Sequence, residues 1–346
     1  MDLHHQIAVH MTKNYTLLSF LFLFVVVTHA QQDPHISLYR QHLNMFNPAV
    51  SGIQSAPELN MTFRSQWQGF KGAPETQIIS FSTPTKSERV GLGINVVHDK
   101  TFVEQQTLAF GSFSYRLQLN DDTNLYLGIQ AGTNGYQVNA YNLEIFGTEG
   151  RDPNLINYSR FNPNVGVGVY LKNEKYYASL SAPKILKSIR FKELNNIVTT
   201  ATDQIHLYLS AGAYLKINDQ WDFIPSTLIR YVNFAPFLIT TNASLSYNKI
   251  IDFGIEYSFD SAVGGTLMID TGNTFSFGYA YITSLHQDLN QFSKGTHEVV
   301  MRIKLGSGDK TLGHEGVIED FSPEDEEAKI GTKNKEKTTG TRTKGL

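Results

Sequence analysis

The chain has 346 residues, of which 18% are charged and 12% aromatic, with a formal net charge of −3, 27 glycines and no cysteine. Without thiols neither a disulfide framework nor a thiolate metal site can form, and a near-neutral charge gives no reason to expect nucleic acid or an acidic substrate as partner. Beyond the N-terminus there is no run of about twenty apolar residues, so a membrane crossing has to be made by strands.

Lys13 precedes an apolar stretch over residues 17–27 and then Thr28, His29 and Ala30, whose small first and third residues suit signal peptidase. Residues 1–30 read as an export signal for the Sec pathway, with Met11 as an alternative start, and the mature chain is expected to begin at Gln31. Residues 31–57 do not alternate. Pro34, Pro48 and Pro57, together with Arg40, Gln41, His42 and Asn44, rule out a lipid-facing strand, whereas Ile36, Leu38, Leu43, Met45 and Phe46 need burial. We expect a plug-like segment within or across the periplasmic mouth of a barrel, held by lumen polar groups that include Arg64.

From residue 58 to 305 the dominant period is two, the pattern of strands with unlike faces. Ile205, Leu207, Leu209, Ala211, Ala213 and Leu215, for example, alternate with His206, Tyr208, Ser210, Gly212, Tyr214 and Lys216. About fourteen such strands are predicted, at 58–67, 75–83, 89–98, 106–119, 123–133, 163–172, 175–182, 203–217, 221–232, 237–247, 250–260, 262–270, 273–283 and 296–305. The even-numbered connections (84–88, 120–122, 173–174, 218–220, 248–249 and 271–272) are all short and turn-like. The long ones, 134–162, 183–202 and 284–295, all fall on odd numbers. Segregation of loop length by parity is the habit of outer-membrane barrels, with short periplasmic turns and longer outside loops. The fold class read from the chain is therefore all-β, a transmembrane antiparallel β-barrel of about fourteen strands with an N-terminal plug-like segment. Residues 306–346 carry almost no large apolar side chains and read as a disordered charged tail.

Several landmarks resemble one family. Asp33 and Pro34, then Tyr39, then Asn47, Pro48, Ala49 and Gly52 are similar to the opening of PorP/SprF proteins; Arg64, Trp67 and Pro84 resemble the first hairpin of that family, and His297 with Glu298 its last strand. The order of these motifs along the chain carries the resemblance. It implies an outer-membrane protein of the type IX secretion and gliding machinery of Bacteroidota. The partners it implies are outer-membrane lipids, periplasmic ring or lipoprotein components and a large secreted adhesin.

No catalytic constellation, P-loop or dinucleotide fingerprint occurs, so neither an enzyme nor a cofactor is expected. His98, His206, His286 and His297 lie on separate segments and are not expected to bind metal. Asp252 with Glu256, and Arg230 with Ser226, share faces that must point inward; they are read as interior residues bracing the barrel and its N-terminal segment. Trp67 and Trp221 sit at strand ends and suit the two membrane interfaces. The competing reading is a passive channel or transporter for a small solute.

Overall fold

The structure, a computed structural model, describes residues 35–139, 157–191, 201–233, 235–272, 274–286 and 293–306. The predicted signal segment 1–30, Asp33, Pro34, the middle parts of the 134–162 and 183–202 connections and the predicted tail from 307 onward lie outside the described residues. Among those described, no helix is long and apolar enough to cross a membrane.

Alternating side chains build strands β1 Glu58–Ser65, β2 Glu75–Pro84, β3 Val90–Thr101, β4 Glu104–Gln118, β5 Thr123–Val138, β6 Tyr158–Asn173 and β7 Tyr176–Ala182. The eighth strand, β8, runs His206–Ala213 and resumes at Leu215–Lys216. It is followed by β9 Trp221–Val232, β10 Leu238–Tyr247, β11 Ile251–Ser258, β12 Ala262–Asp270, β13 Phe275–Ser284 and β14 Thr296–Lys304. Every strand pairs antiparallel with its neighbours in the chain, β8 joins β7 to β9, and β1 pairs with β14 from Glu58–Lys304 to Ser65–His297. The sheet therefore closes as a fourteen-stranded barrel and leaves no free sheet edge along its seam. Leu209 and Ile255, 48% and 66% exposed, are typical of the outward face, which is apolar; the inward face is polar and buried.

Several predicted boundaries differ by a few residues, three of them for an identifiable local reason. The 134–162 connection is shorter than expected, because β5 and β6 remain paired from Asn134–Asn162 to Val138–Tyr158. Pro163 lies at the base of this extension, opposite Thr133. The stretch 158–166 of β6 reaches beyond its last pair with β7, Val167–Ala182, so the proline's missing N–H removes no bond from the β6–β7 ladder. The strand predicted over 203–217 is interrupted at Tyr214, just past Ala213, which stands opposite Pro225 of β9, a residue with no N–H to offer the ladder. The first strand stops at Ser65 rather than residue 67 because Trp67 takes a positive φ of 43° and turns the chain. The β10–β11 hairpin follows the expected chemistry, with Asn248 and Lys249 both at positive φ, as a turn of primed type requires.

Candidate functional site

Strand alternation decides what faces the barrel axis. On β1 it turns Glu58, Asn60, Thr62 and Arg64 inward, on β14 Thr296, Glu298, Val300 and Arg302, and on β11 Glu256 and Ser258. Register then makes neighbours of Arg64 and Glu298, and of Asn60 and Arg302.

Residues 35–57 lie against this inner wall. Short helical turns at Tyr39–His42, Leu43–Phe46 and Pro48–Val50 shape the segment. Pro48 opens the last turn, where its missing N–H would be unbonded in any case, and Asn47 caps it by accepting the Ala49 N–H at 2.9 Å. Ile36, Tyr39, Leu43, Phe46, Ala49 and Val50 are buried in one core with the inward Ile78, Val97, Leu108, Phe110, Tyr126 and Tyr170. This burial answers the need of the segment's apolar residues, and the transfer of such side chains from water is worth roughly 1.5–3 kcal/mol each.

Polar contacts run around the whole circumference. The Ser37 and Leu38 N–H groups donate to the two carboxylate oxygens of Glu298, each at 2.9 Å. Tyr39 Oη donates to Ser226 Oγ at 2.8 Å, and Arg40 pairs with Asp252 at 3.4 Å. Gln41 Oε1 accepts from Arg302, which also pairs with Asp270 at 3.4 Å, while His42 Nε2 meets the Thr62 hydroxyl. Asn47 Nδ2 donates to Ser179 Oγ at 2.8 Å, and Ser181 Oγ donates to the Phe46 carbonyl at 2.7 Å. His35 meets Glu256 at 3.1 Å. Fully buried charges such as Glu298 and Arg302 are tolerable only with partners of this kind.

Where the segment comes closest, the wall holds glycine. A Cβ on Gly168 would overlap Asn47 Oδ1, one on Gly128 the Ala49 backbone, and one on Gly91 the Ser51 carbonyl. Gly52, at φ 67°, passes over Thr83 and Gly91. Farther along the same wall, part of the β7–β8 connection also folds inward. The Pro183 carbonyl accepts from Gln130, Asn164 clasps both N–H and C=O of Leu186, and Asp203 accepts from Asn134 and Tyr136. Between this connection and Met45–Phe46 remains a cavity of about 30 Å³, lined by Asn95, Val97, Leu108, Phe110, Gln130 and Tyr208. A void of that size has room for about two waters.

Burial shifts two titrating groups of the segment. It lowers the His42 imidazole to about 4, with the nearby Arg302 charge adding to the effect, so the ring is neutral at physiological pH. The Tyr39 phenol is pushed well up by burial and remains a donor to Ser226. Among the described residues no group of three His, Asp or Glu is arranged to hold a metal ion.

The structure brings Tyr39, Asn47, Pro48, Ala49, Arg64 and Glu298 to one interior surface. Gly52 lies where the segment leaves it. The other predicted positions lie apart. Trp67 is on the β1–β2 connection, and Pro84 ends β2 opposite Gly91. His297 points outward, between Tyr279 (Oη to Nδ1 2.8 Å) and Tyr281. Asp270, Arg302 and the glycine positions were not singled out from sequence. Parity with Glu298 would have turned Arg302 inward, whereas the glycines become legible only once the segment is known to pass over them.

The sequence pattern of the type IX secretion system membrane protein PorP/SprF matches residues 28–303. The chain belongs to the PorP/SprF family. Together with a closed barrel whose outer face is apolar, this makes it a component of the type IX secretion system in the outer membrane. No curated protein matches the chain. Solved structures with a similar course include the toluene transporter TbuX of Ralstonia pickettii (9% identity, 76% of this chain and 93% of that one, TM-score 0.47). The outer membrane protein Omp33 of Acinetobacter baumannii is a second (6%, 74% and 100%, 0.42). A FadL homologue of Pseudomonas aeruginosa is a third (10%, 75% and 92%, 0.42).

Proposed function

We propose that this PorP/SprF barrel serves the secretion machine by binding proteins, without catalysis and without conducting a solute through an open lumen. The observation that carries the reading is the position of residues 35–57, which act as a plug: their contacts run from Glu298 and Glu256 to Ser181 and Asn95 on widely separated strands. A lumen filled this way leaves the rims and the outer face as the surfaces for partners. By the usual orientation of such barrels, the short-turn rim, where the end of the segment joins β1, meets periplasmic ring or lipoprotein components, and the long-loop rim, toward which His35 lies, meets a secreted adhesin.

The test is to purify the tagged protein from outer membranes with its native partners, then repeat after deleting residues 35–49. Machine components should co-purify with the intact chain and be lost, or the membrane become leaky, with the deletion. A steady ion conductance from the intact chain in planar bilayers, with no co-purifying protein, would favour the passive-channel reading instead.

A further inference from the structure

The hold on the segment contains an unequal competition. Glu298 is fully buried and gives both carboxylate oxygens to backbone N–H groups of the segment, Ser37 and Leu38, at 2.9 Å. Arg64 stands opposite it on β1, yet its Nε is 3.5 Å from Glu298 Oε2, longer than a charge-assisted bond of about 2.7–2.9 Å. Arg64 is itself buried, and its Nε and Nη1 have no hydrogen-bond partner. A guanidinium with unspent donors thus sits beside a carboxylate both of whose oxygens already accept from the segment. Glu256, the other acid gripping the segment through His35, is also within electrostatic reach of Arg64 and keeps one buried oxygen, Oε2, unpartnered.

Resting on the reading of residues 35–57 as a plug, we propose that Arg64 and Glu298 form an exchange latch that makes the plug releasable. In the docked state Glu298 bonds Ser37 and Leu38 and leaves Arg64 underused. In the released state Arg64 closes on Glu298 as a two-bond fork, so the carboxylate left by the segment is never stranded in the wall. The segment's own N–H groups find water once it has moved out. The two residues therefore act in opposite directions on docking: Glu298 holds the plug in, and Arg64 stabilises the barrel without it. An ion pair that merely braced the wall would give no such opposition, since removing either partner would loosen the structure around it.

The chain has no cysteine, and Ser37 offers a quiet reporter position: it is 1% exposed and its hydroxyl has no hydrogen-bond partner. In the full chain reconstituted in lipid vesicles, the rate at which a small thiol reagent modifies Ser37→Cys measures how often the segment leaves, and heat-modifiable migration on gels confirms a folded barrel. Glu298→Gln should speed modification about tenfold or more. Arg64→Met should slow it several-fold, and Arg64→Lys, which keeps the charge but not the fork, should slow it by a smaller factor. Modification faster in the arginine variants, or unchanged in all three, overturns the latch. If Arg64→Met does not assemble, the lysine variant alone decides by the same criterion. Modification of Ser37→Cys at the rate of a free thiol in the otherwise unaltered chain would instead sink the plug reading, a result distinct from failure of the latch.

Discussion

Gly168 of β6 lies directly beneath the side-chain amide of Asn47, so close that a single added carbon would overlap Asn47 Oδ1. The wall is hollowed for the Asn47–Pro48–Ala49 turn, and Gly128 makes room for the Ala49 backbone in the same way. Gly168→Val is expected to displace the turn at a cost of roughly 1–3 kcal/mol while leaving the lipid-facing side untouched. Limited proteolysis of the refolded barrel should then cut within residues 35–57 in the variant and spare them in the wild type. Equal protection in both would mean that the turn is not seated on this glycine.

Leu209 and its neighbour Tyr208 face opposite media. Leu209→Arg places charge on the apolar face of β8 and should impair assembly by about 2–4 kcal/mol near the membrane midplane. Tyr208 packs on Phe46 with ring centroids 5.1 Å apart, so Tyr208→Arg should spare insertion but loosen the segment. Assembly yield measured by heat-modifiable migration separates the two, and equal yields would contradict the assignment of faces.

Docking of the segment should weaken in acid. The docked His42 ring is neutral with a pKa near 4, whereas the ordinary value is 6.5, so the free segment takes up a proton first as the pH falls. Docking is fully favoured above pH 6.5 and loses stability progressively down to about 4, by up to roughly 3 kcal/mol at 1.36 kcal/mol per unit. Proteolytic or thiol access to the segment should rise between pH 7 and 4.5, and His42→Gln should flatten that rise. A rise of the same size in the variant would assign the effect to other groups.

Topology can be read on intact cells. Lys187 is exposed on the long β7–β8 connection and Asp121 on the short β4–β5 turn, so Lys187→Cys should react with an impermeant thiol reagent and Asp121→Cys should not. Lys184, only three residues from Lys187, is buried and should be protected despite lying on the same connection. Reaction at position 121 alone would invert the barrel.

Much of the barrel was legible because a period of two is a local property. The inward set Asn60, Thr62 and Arg64 and the outward set Ile205, Leu207 and Leu209 follow from counting, and turn residues mark most hairpins. What escaped depends on a second strand. The break at Tyr214 is caused by a proline on β9, and the run of β6 through Pro163 is permitted because β7 has already ended. The interior site was half legible for the same reason. Composition said that Ile36, Leu38 and Phe46 needed burial, but only the closed barrel reveals that Phe46 packs on Tyr208, that Leu38 meets Ala280 and Val300, and that Gly168 makes room for Asn47.

The overhang of β5 and β6 beyond the end of β7 gives the molecule a high flank and a low flank on its long-loop rim. A barrel of uniform height would look the same from every direction in the plane of the membrane. This one has a bearing: its paired strands stand higher on the β5–β6 side than at β7. Copies held in the membrane with one common orientation would all turn that taller flank to a set compass angle, so the barrel marks a direction in the plane of the membrane as well as across it.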